Sequence, residues 1–190
     1  AKRIEGEAAI YGPKLDYMFK DALGKERQLS TIQLDFAMPQ RFGLTYRDKD
    51  GEEKTPVMIH RAPVGSMERF VAILLEHTGG NFPLWLMPTQ AIILSISEKY
   101  EKYAEKVLNL LENNEIRALV DYRSETMGKK IRDAEVNKTP YMLIIGEQEA
   151  ENGTISVRKH GGEDLGSITI EDFSKLINTE IKSTLKEFIV

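Results

Sequence analysis

The 190-residue sequence predicts an α/β protein of two modest domains, residues 1–87 and 88–190. Three observations point there. The first half consists of β-rich runs broken by turns, and the second alternates short apolar runs with amphipathic helical stretches. A hydrophobic content of 41% suffices to bury a core in a chain of this length.

In the first domain YGPKLDYMF and RQLSTIQLDF read as strands separated by KDALGKE, and residues 46–54 as a hairpin loop. PVMIHR is a short apolar strand that residues 62–65 break. Ser66 then caps a helix in which Met67, Phe70, Val71, Leu74 and Leu75 recur at helical spacing, and Gly79 and Gly80 stop it. NFPLWLMP, with two prolines and the only tryptophan, reads as the connection between domains.

After Thr89 the apolar runs QAIILSI, IRALVDY and YMLIIGE are separated by helical stretches at 98–113 and 127–137, which predicts βαβ units and a largely parallel sheet. Asn152-Gly153 signals a tight turn into the strand TISVRKH, and IEDFSKLINTEIKSTLKEF closes the chain as an amphipathic helix.

Composition excludes several classes. With 26 basic and 30 acidic residues, bulk positive charge cannot drive sequence-blind nucleic-acid binding, so any RNA contact must be local. The acidic excess lies wholly after residue 87, where 14 basic face 18 acidic residues. The absence of cysteine rules out a disulfide framework or thiolate metal site made by this chain alone. No run approaches the roughly 18 apolar residues of a membrane span, and AKRIEGEAAIYG has no signal-like apolar core. A soluble, cytoplasmic protein is expected.

The candidate residues are ambiguous on spacing alone. His60, ending an apolar strand, is either a structural histidine or a ligand, and His77 and His160 offer it no partner spacing for zinc. Arg69 either pairs with Glu68 on a solvated face or reaches a phosphate near the helix N-terminus. Thr31 and Gln33 share a strand face, with Gln28 on the other unless a bulge intervenes. Arg132 on a helix, Lys138 just after it, Glu149 in a loop and Arg158 on a strand read as ordinary surface residues.

Taken in order, EGEAAIYGPK, QLSTIQLDF, PVMIHRAPVGSMERF and NFPLWLMP resemble the threonyl-tRNA synthetases, and GSMERF is similar to the third signature motif of class II aminoacyl-tRNA synthetases. DYRSETMGKKIRDAE, TPYMLIIGEQE and NGTISVRKHG resemble the anticodon-binding domain of the same family. The resemblance implies the C-terminal part of an antiparallel-sheet catalytic domain followed by a mixed α/β anticodon-binding domain, and so a C-terminal part of a longer enzyme. It implies a zinc site with His60 as one of three ligands, the other two, a Cys and a His, lying upstream, and Mg2+ accompanying ATP. Tyr11 and Gln33 would line the threonine pocket. Gln28, Ser66 and Arg69 would serve ATP, and Lys14 would reach the same site. Arg132, Lys138, Glu149 and Arg158 would read the anticodon of tRNA(Thr). The whole enzyme is expected to be a homodimer that does not enter membranes.

Ser30 stands where the family usually has Gly, and Ser124 where Asn is often found. A strand shift beside the substrate is expected if position 30 needs φ > 0, and a shortened reach toward the anticodon at position 124. Two further readings stand beside the ligase. One is a non-catalytic, synthetase-derived RNA-binding or assembly module. The other is a nucleotide-binding α/β domain in the second half, which lacks a glycine-rich phosphate loop.

Overall fold

The computed structural model describes residues 2–186, and the chain divides into two compact units, Ala1–Gly80 and Asn81–Val190. In the first unit, β1 (Lys14–Lys20), β2 (Glu26–Asp35) and β5 (Met58–Ala62) form an antiparallel sheet in the order β1-β2-β5. A one-turn helix α1 (Met38–Arg41) follows β2, and β3 (Tyr46–Arg47) with β4 (Glu53–Lys54) makes the expected hairpin. α2 (Met67–Thr78) starts at Ser66, whose hydroxyl accepts the Arg69 N–H, and stops at Gly79. Such a cap stabilises a helix by about 1 kcal/mol.

Register fixes the faces of this sheet. Lys14 lies opposite Gln33, which lies opposite His60, and the next row joins Asp16, Thr31 and Ala62. Between Tyr17 and Met18 the register slips: Tyr17 faces Ser30 but Met18 faces Gln28, leaving Leu29 as an extra residue on β2. A bulge moves every preceding side chain to the other face. Gln28 therefore joins Thr31 and Gln33 instead of opposing them.

In the second unit, β6 (Ala91–Ser95) lies between β7 (Ala118–Asp121) and β8 (Tyr141–Ile145), parallel to both, while β9 (Thr154–Lys159) and β10 (Asp164–Thr169) extend the sheet antiparallel in the order β10-β9-β8-β6-β7. The sheet is thus mixed, not largely parallel, because short connections follow β8 and β9 and a short link cannot carry the chain back to a parallel start. A helical turn at Glu98–Tyr100 leads into α3 (Glu101–Asn113), and α4 (Met127–Val136) returns the chain from β7 to β8. The crossover from β6 to β7 and the one from β7 back past β6 to β8 step in opposite directions, which puts their helices on opposite faces.

One core cluster joins Ile93, Leu143, Ile155 and Val157 to Val107 and Leu111 of α3 and to Phe173 and Ile177 of α6 (Ile170–Lys186). The other joins Leu94 and Met142 to Ala134 of α4. Each fully buried Leu or Ile side chain contributes roughly 1.5–3 kcal/mol. The closing helix expected to Phe188 is seen through Lys186, its last two expected residues lying outside the described ones.

Two expectations change. NFPLWLMP is packed structure, not a bare connection: Leu84 and Met87 are buried, and Arg117 donates to the carbonyls of Met87 and Trp85. It groups with the second unit, so the division falls at Gly80 and Asn81, ahead of the expected 87/88. Asn152-Gly153 is not a hairpin turn but the end of α5 (Glu147–Asn152), where Gly153 (φ 69°) takes the left-handed C-cap conformation.

Candidate functional site

The polar face of the first sheet brings together most of the residues expected to bind threonine and ATP. Tyr11 runs on beside β2, where its carbonyl accepts the Phe36 N–H at 3.1 Å. Its hydroxyl donates to Gln33 Oε1 at 2.7 Å, and its ring lies 5.6 Å, centroid to centroid, from that of His60. Tyr11, Gln33 and His60 therefore line one patch, with Lys14 across the strand from Gln33.

Behind His60 stands a residue that sequence reasoning missed. Asp35 is fully buried; its Oδ1 accepts the N–H groups of Ala37 and Met38, both at 2.9 Å, and its Oδ2 lies 2.8 Å from His60 Nε2. Burial alone would raise the Asp35 pKa, but the hydrogen bonds from Met38, His60 and Ala37 outweigh it and hold the carboxyl below its ordinary value. An ionised carboxylate only accepts, so His60 Nε2 carries the hydrogen of this contact and Nδ1 is the ring nitrogen left for a ligand. The imidazole is 43% exposed. The available signal was Asp35 three residues before the helix around Pro39, an Asx-type helix start.

Asp16 is the second missed residue. Its Oδ1 accepts from Gln28 Nε2 at 2.8 Å and Thr31 Oγ1 at 2.7 Å, while Oδ2 holds Lys14 Nζ at 2.8 Å. The Lys14 and Thr31 hydrogen bonds lower its pKa, and Asp16 in turn raises that of Lys14.

At the end of this face the Arg69 guanidinium lies 3.4 Å from the Gln28 carbonyl. The preceding turn packs on the bulge: Gly65 (φ 67°) comes so close that a Cβ there would stand 2.5 Å from the Leu29 carbonyl. No other residue type fits this approach without moving the strand. Ser30 has extended backbone, its hydroxyl donating to the Ala62 carbonyl at 3.0 Å, so the φ > 0 on which the expected strand shift depended is not present. Ser66 is occupied with capping α2.

Among the described residues no group of three or more His, Cys, Asp or Glu side chains could hold a metal ion. His60 fits the part of a single ligand, with an oriented ring and an available Nδ1. The other donors a zinc ion needs are not in this set.

In the second unit the four expected RNA-reading residues lie on different segments. Arg158 lies opposite Met142, on the face that α4 covers, and Arg132 is exposed on α4. Lys138 follows α4 with left-handed backbone (φ 57°). Glu149 is on α5, not in a loop, where its carboxylate accepts the Gly146 N–H at 2.9 Å, the one half of a capping box that a glycine N-cap allows. It lies past the carboxyl end of β8, whereas Arg158 pairs with Met142 near that strand's start.

The carboxyl end of the parallel strands holds a cavity of about 70 Å³ lined in part by Ser95, Ser97, Ser124 and Lys130. Lys130 is buried, with its ammonium donating to the carbonyls of Ser95 at 3.2 Å and Asp121 at 3.1 Å. Arg123 grips Asp121 through both carboxylate oxygens and also reaches Asp133, which fixes the loop carrying Ser124. The hydrogen bonds from Arg123 lower the Asp121 pKa.

Asp16, Asp35 and Asp121 give the fold a predictable acid limb. Their folded pKa values lie below the ordinary 3.8, so the unfolded chain takes up protons first as pH falls. Their stabilisation is complete above that value and is lost as pH drops through the lower folded values. Urea midpoints are expected to fall steeply below about pH 4 and to be insensitive to these groups above about pH 5.

Comparisons with known proteins agree with this geometry. Residues 90–180 match the family model for the anticodon binding domain, and residues 2–78 that for the tRNA synthetase class II core domain (G, H, P, S and T). The chain is 68% identical to threonine–tRNA ligase of Flavobacterium johnsoniae and 56% identical to that of Bacteroides fragilis, the matches covering 97% and 99% of this chain. It spans 29% of the length of each of these curated relatives. Its fold is similar to the RNA binding domain of threonyl-tRNA synthetase from Cryptosporidium parvum, with a TM-score of 0.80 and 43% identity over 92% of this chain and 44% of that one. The mixed α/β architecture, the two domain matches and the high identity to named ligases agree, and the chain belongs to the threonyl-tRNA synthetase family.

Proposed function

We propose that this chain is the part of a threonine–tRNA ligase that supplies one wall of the amino-acid and ATP site together with the anticodon-reading domain. The observation that carries the reading is the polar sheet face on which Tyr11, Gln33, His60 and Lys14 converge, with Arg69 at its end. In the whole enzyme the threonine carboxylate attacks the α-phosphate of ATP and pyrophosphate leaves. A hydroxyl of the terminal adenosine of tRNA(Thr) then attacks the adenylate carbonyl and AMP leaves.

Tyr11 and Gln33 line the threonine side. Gln28, Lys14 and Arg69 face the nucleotide, Arg69 offsetting phosphate charge as it builds, with Mg2+ accompanying ATP. Ser66 contributes by capping the helix that carries Arg69. His60 Nδ1 would hold zinc together with two ligands from outside this chain. When bound, zinc supplies a Lewis-acidic centre for the amino and hydroxyl groups of threonine, and valine leaves such a polar site unsatisfied. Arg132, Lys138, Glu149 and Arg158 read unstacked anticodon bases through a few placed groups, which suits an acidic domain. The whole enzyme is a cytoplasmic homodimer in this reading.

The test has two arms. The full-length protein should catalyse threonine-dependent exchange of pyrophosphate into ATP, and this chain alone should not. The chain should bind the tRNA(Thr) anticodon stem-loop more tightly than one with an altered anticodon; equal affinity would remove the anticodon assignment.

A further inference from the structure

We infer that Asp16 is a positioning residue that fixes the hydrogen-bonding polarity of Gln28, so that the site presents a carbonyl acceptor at Gln28 and an amide donor at Gln33. The inference rests on the site proposed above and adds what its two glutamines can recognise.

The chemistry of Asp16 leaves one arrangement. Its carboxylate is an acceptor only, and three donors converge on it: the Lys14 ammonium, the Thr31 hydroxyl and the Gln28 amide. Gln28 must therefore turn its NH2 group inward, leaving Oε1 outward. Gln33 lies the opposite way round in the structure, its Oε1 accepting the Tyr11 hydroxyl, which leaves its NH2 group free of that contact. Two residues of one type, five positions apart, thus carry opposite instructions. A ligand donor such as a hydroxyl or ammonium is matched at Gln28, and a ligand acceptor such as a carboxylate or phosphate oxygen at Gln33.

The bulge at Leu29 is a precondition, since without it Gln28 would point away from Asp16. Asp16 need not touch any ligand to act. It holds Lys14 with the same carboxylate that orients Gln28, so substrate groups meeting either residue meet a preset partner.

The experiment is a polarity swap in the full-length ligase, read by threonine-dependent pyrophosphate exchange and by the thermal unfolding midpoint. Gln28→Glu sets two carboxylates against each other and should lower kcat/KM by roughly tenfold or more with little change in midpoint. Adding Asp16→Asn supplies an amide at position 16 that donates to the new carboxylate at position 28, restores an outward acceptor, and should recover most of the loss. The double variant against Gln28→Glu alone decides the matter even if Asp16→Asn alone fails to fold. A double variant no better than Gln28→Glu overturns the inference, as does an activity loss that only follows a falling midpoint. A wild-type protein without exchange activity would instead sink the site reading itself, before any variant is compared.

Discussion

Asp35→Asn in the full-length ligase is expected to leave the fold intact while lowering zinc affinity about 10- to 100-fold, the usual cost of losing a carboxylate behind a metal-binding histidine. Asn can keep the two backbone hydrogen bonds that Asp35 Oδ1 makes to Ala37 and Met38, since Asn supports this turn as well as Asp does. It then places an NH2 group where Oδ2 now faces His60 Nε2. Two donors cannot share that contact, so the ring must move its hydrogen to Nδ1, the nitrogen proposed to hold zinc. Activity should fall with the metal, as in other sites where an Asp-to-Asn change leaves geometry intact and installs the wrong histidine tautomer. Zinc content under chelator competition and the ring-nitrogen NMR shifts of His60 read the two halves separately. Full zinc retention with hydrogen still on Nε2 would reduce Asp35 to a turn former.

Why this residue escaped sequence reasoning is instructive beside what did not. The strands in RQLSTIQLDF and PVMIHR and the shared face of Thr31 and Gln33 were legible from alternation, whereas the pairing of Gln33 with His60 was not. Gln28 was not, because its face depends on one extra residue at Leu29, and that bulge fits the close approach of Gly65 from thirty-six positions on. Alternation is a local signal and a bulge is a tertiary event. Asp16 and Asp35 read as strand polar residues because their partners are chosen by register, which composition does not encode.

The second unit shows the same division. Strands β6, β7 and β8 are continuous apolar runs that only a buried sheet explains. β10 is interrupted by a register shift at Asp164 and Gly166 and carries no clean alternation. Asn-Gly marked a chain reversal correctly but not its kind, since the left-handed glycine that closes a hairpin also ends a helix. Lys130 had a usable signal: spaced from Met127 and Ala134 by three and four residues, it falls on the face that α4 buries, and Lys129 does not.

Separated at the bond between Gly80 and Asn81, the two units should behave very differently: residues 81–190 should unfold in one cooperative step, and residues 1–80 should show none. Every residue of both core clusters lies in the second unit. The first has a three-stranded sheet with β1 and β5 as open edges, and α2 buries none of its residues. Leu15, Tyr17 and Ile59 are exposed on its strands, and Met67, Val71 and Leu75 form an exposed stripe at helical spacing on α2. About 80 residues with so little apolar burial cannot offset a conformational entropy cost of order 1–2 kcal/mol per residue. Hydrogen bonding through the Asp16 and Asp35 carboxylates ties the polar face together, and bonds to charged groups contribute only about 1.5–3 kcal/mol each. Urea titration by circular dichroism should give a sharp transition for 81–190. For 1–80 it should give a shallow drift with strong binding of an apolar dye. A sharp transition for 1–80, with a slope of ~1 kcal/mol/M or more, would show that this network stabilises far more than the sum of its bonds. The Asp35→Asn and Asp16→Asn variants would then have to be judged as folding mutants before anything is concluded about catalysis.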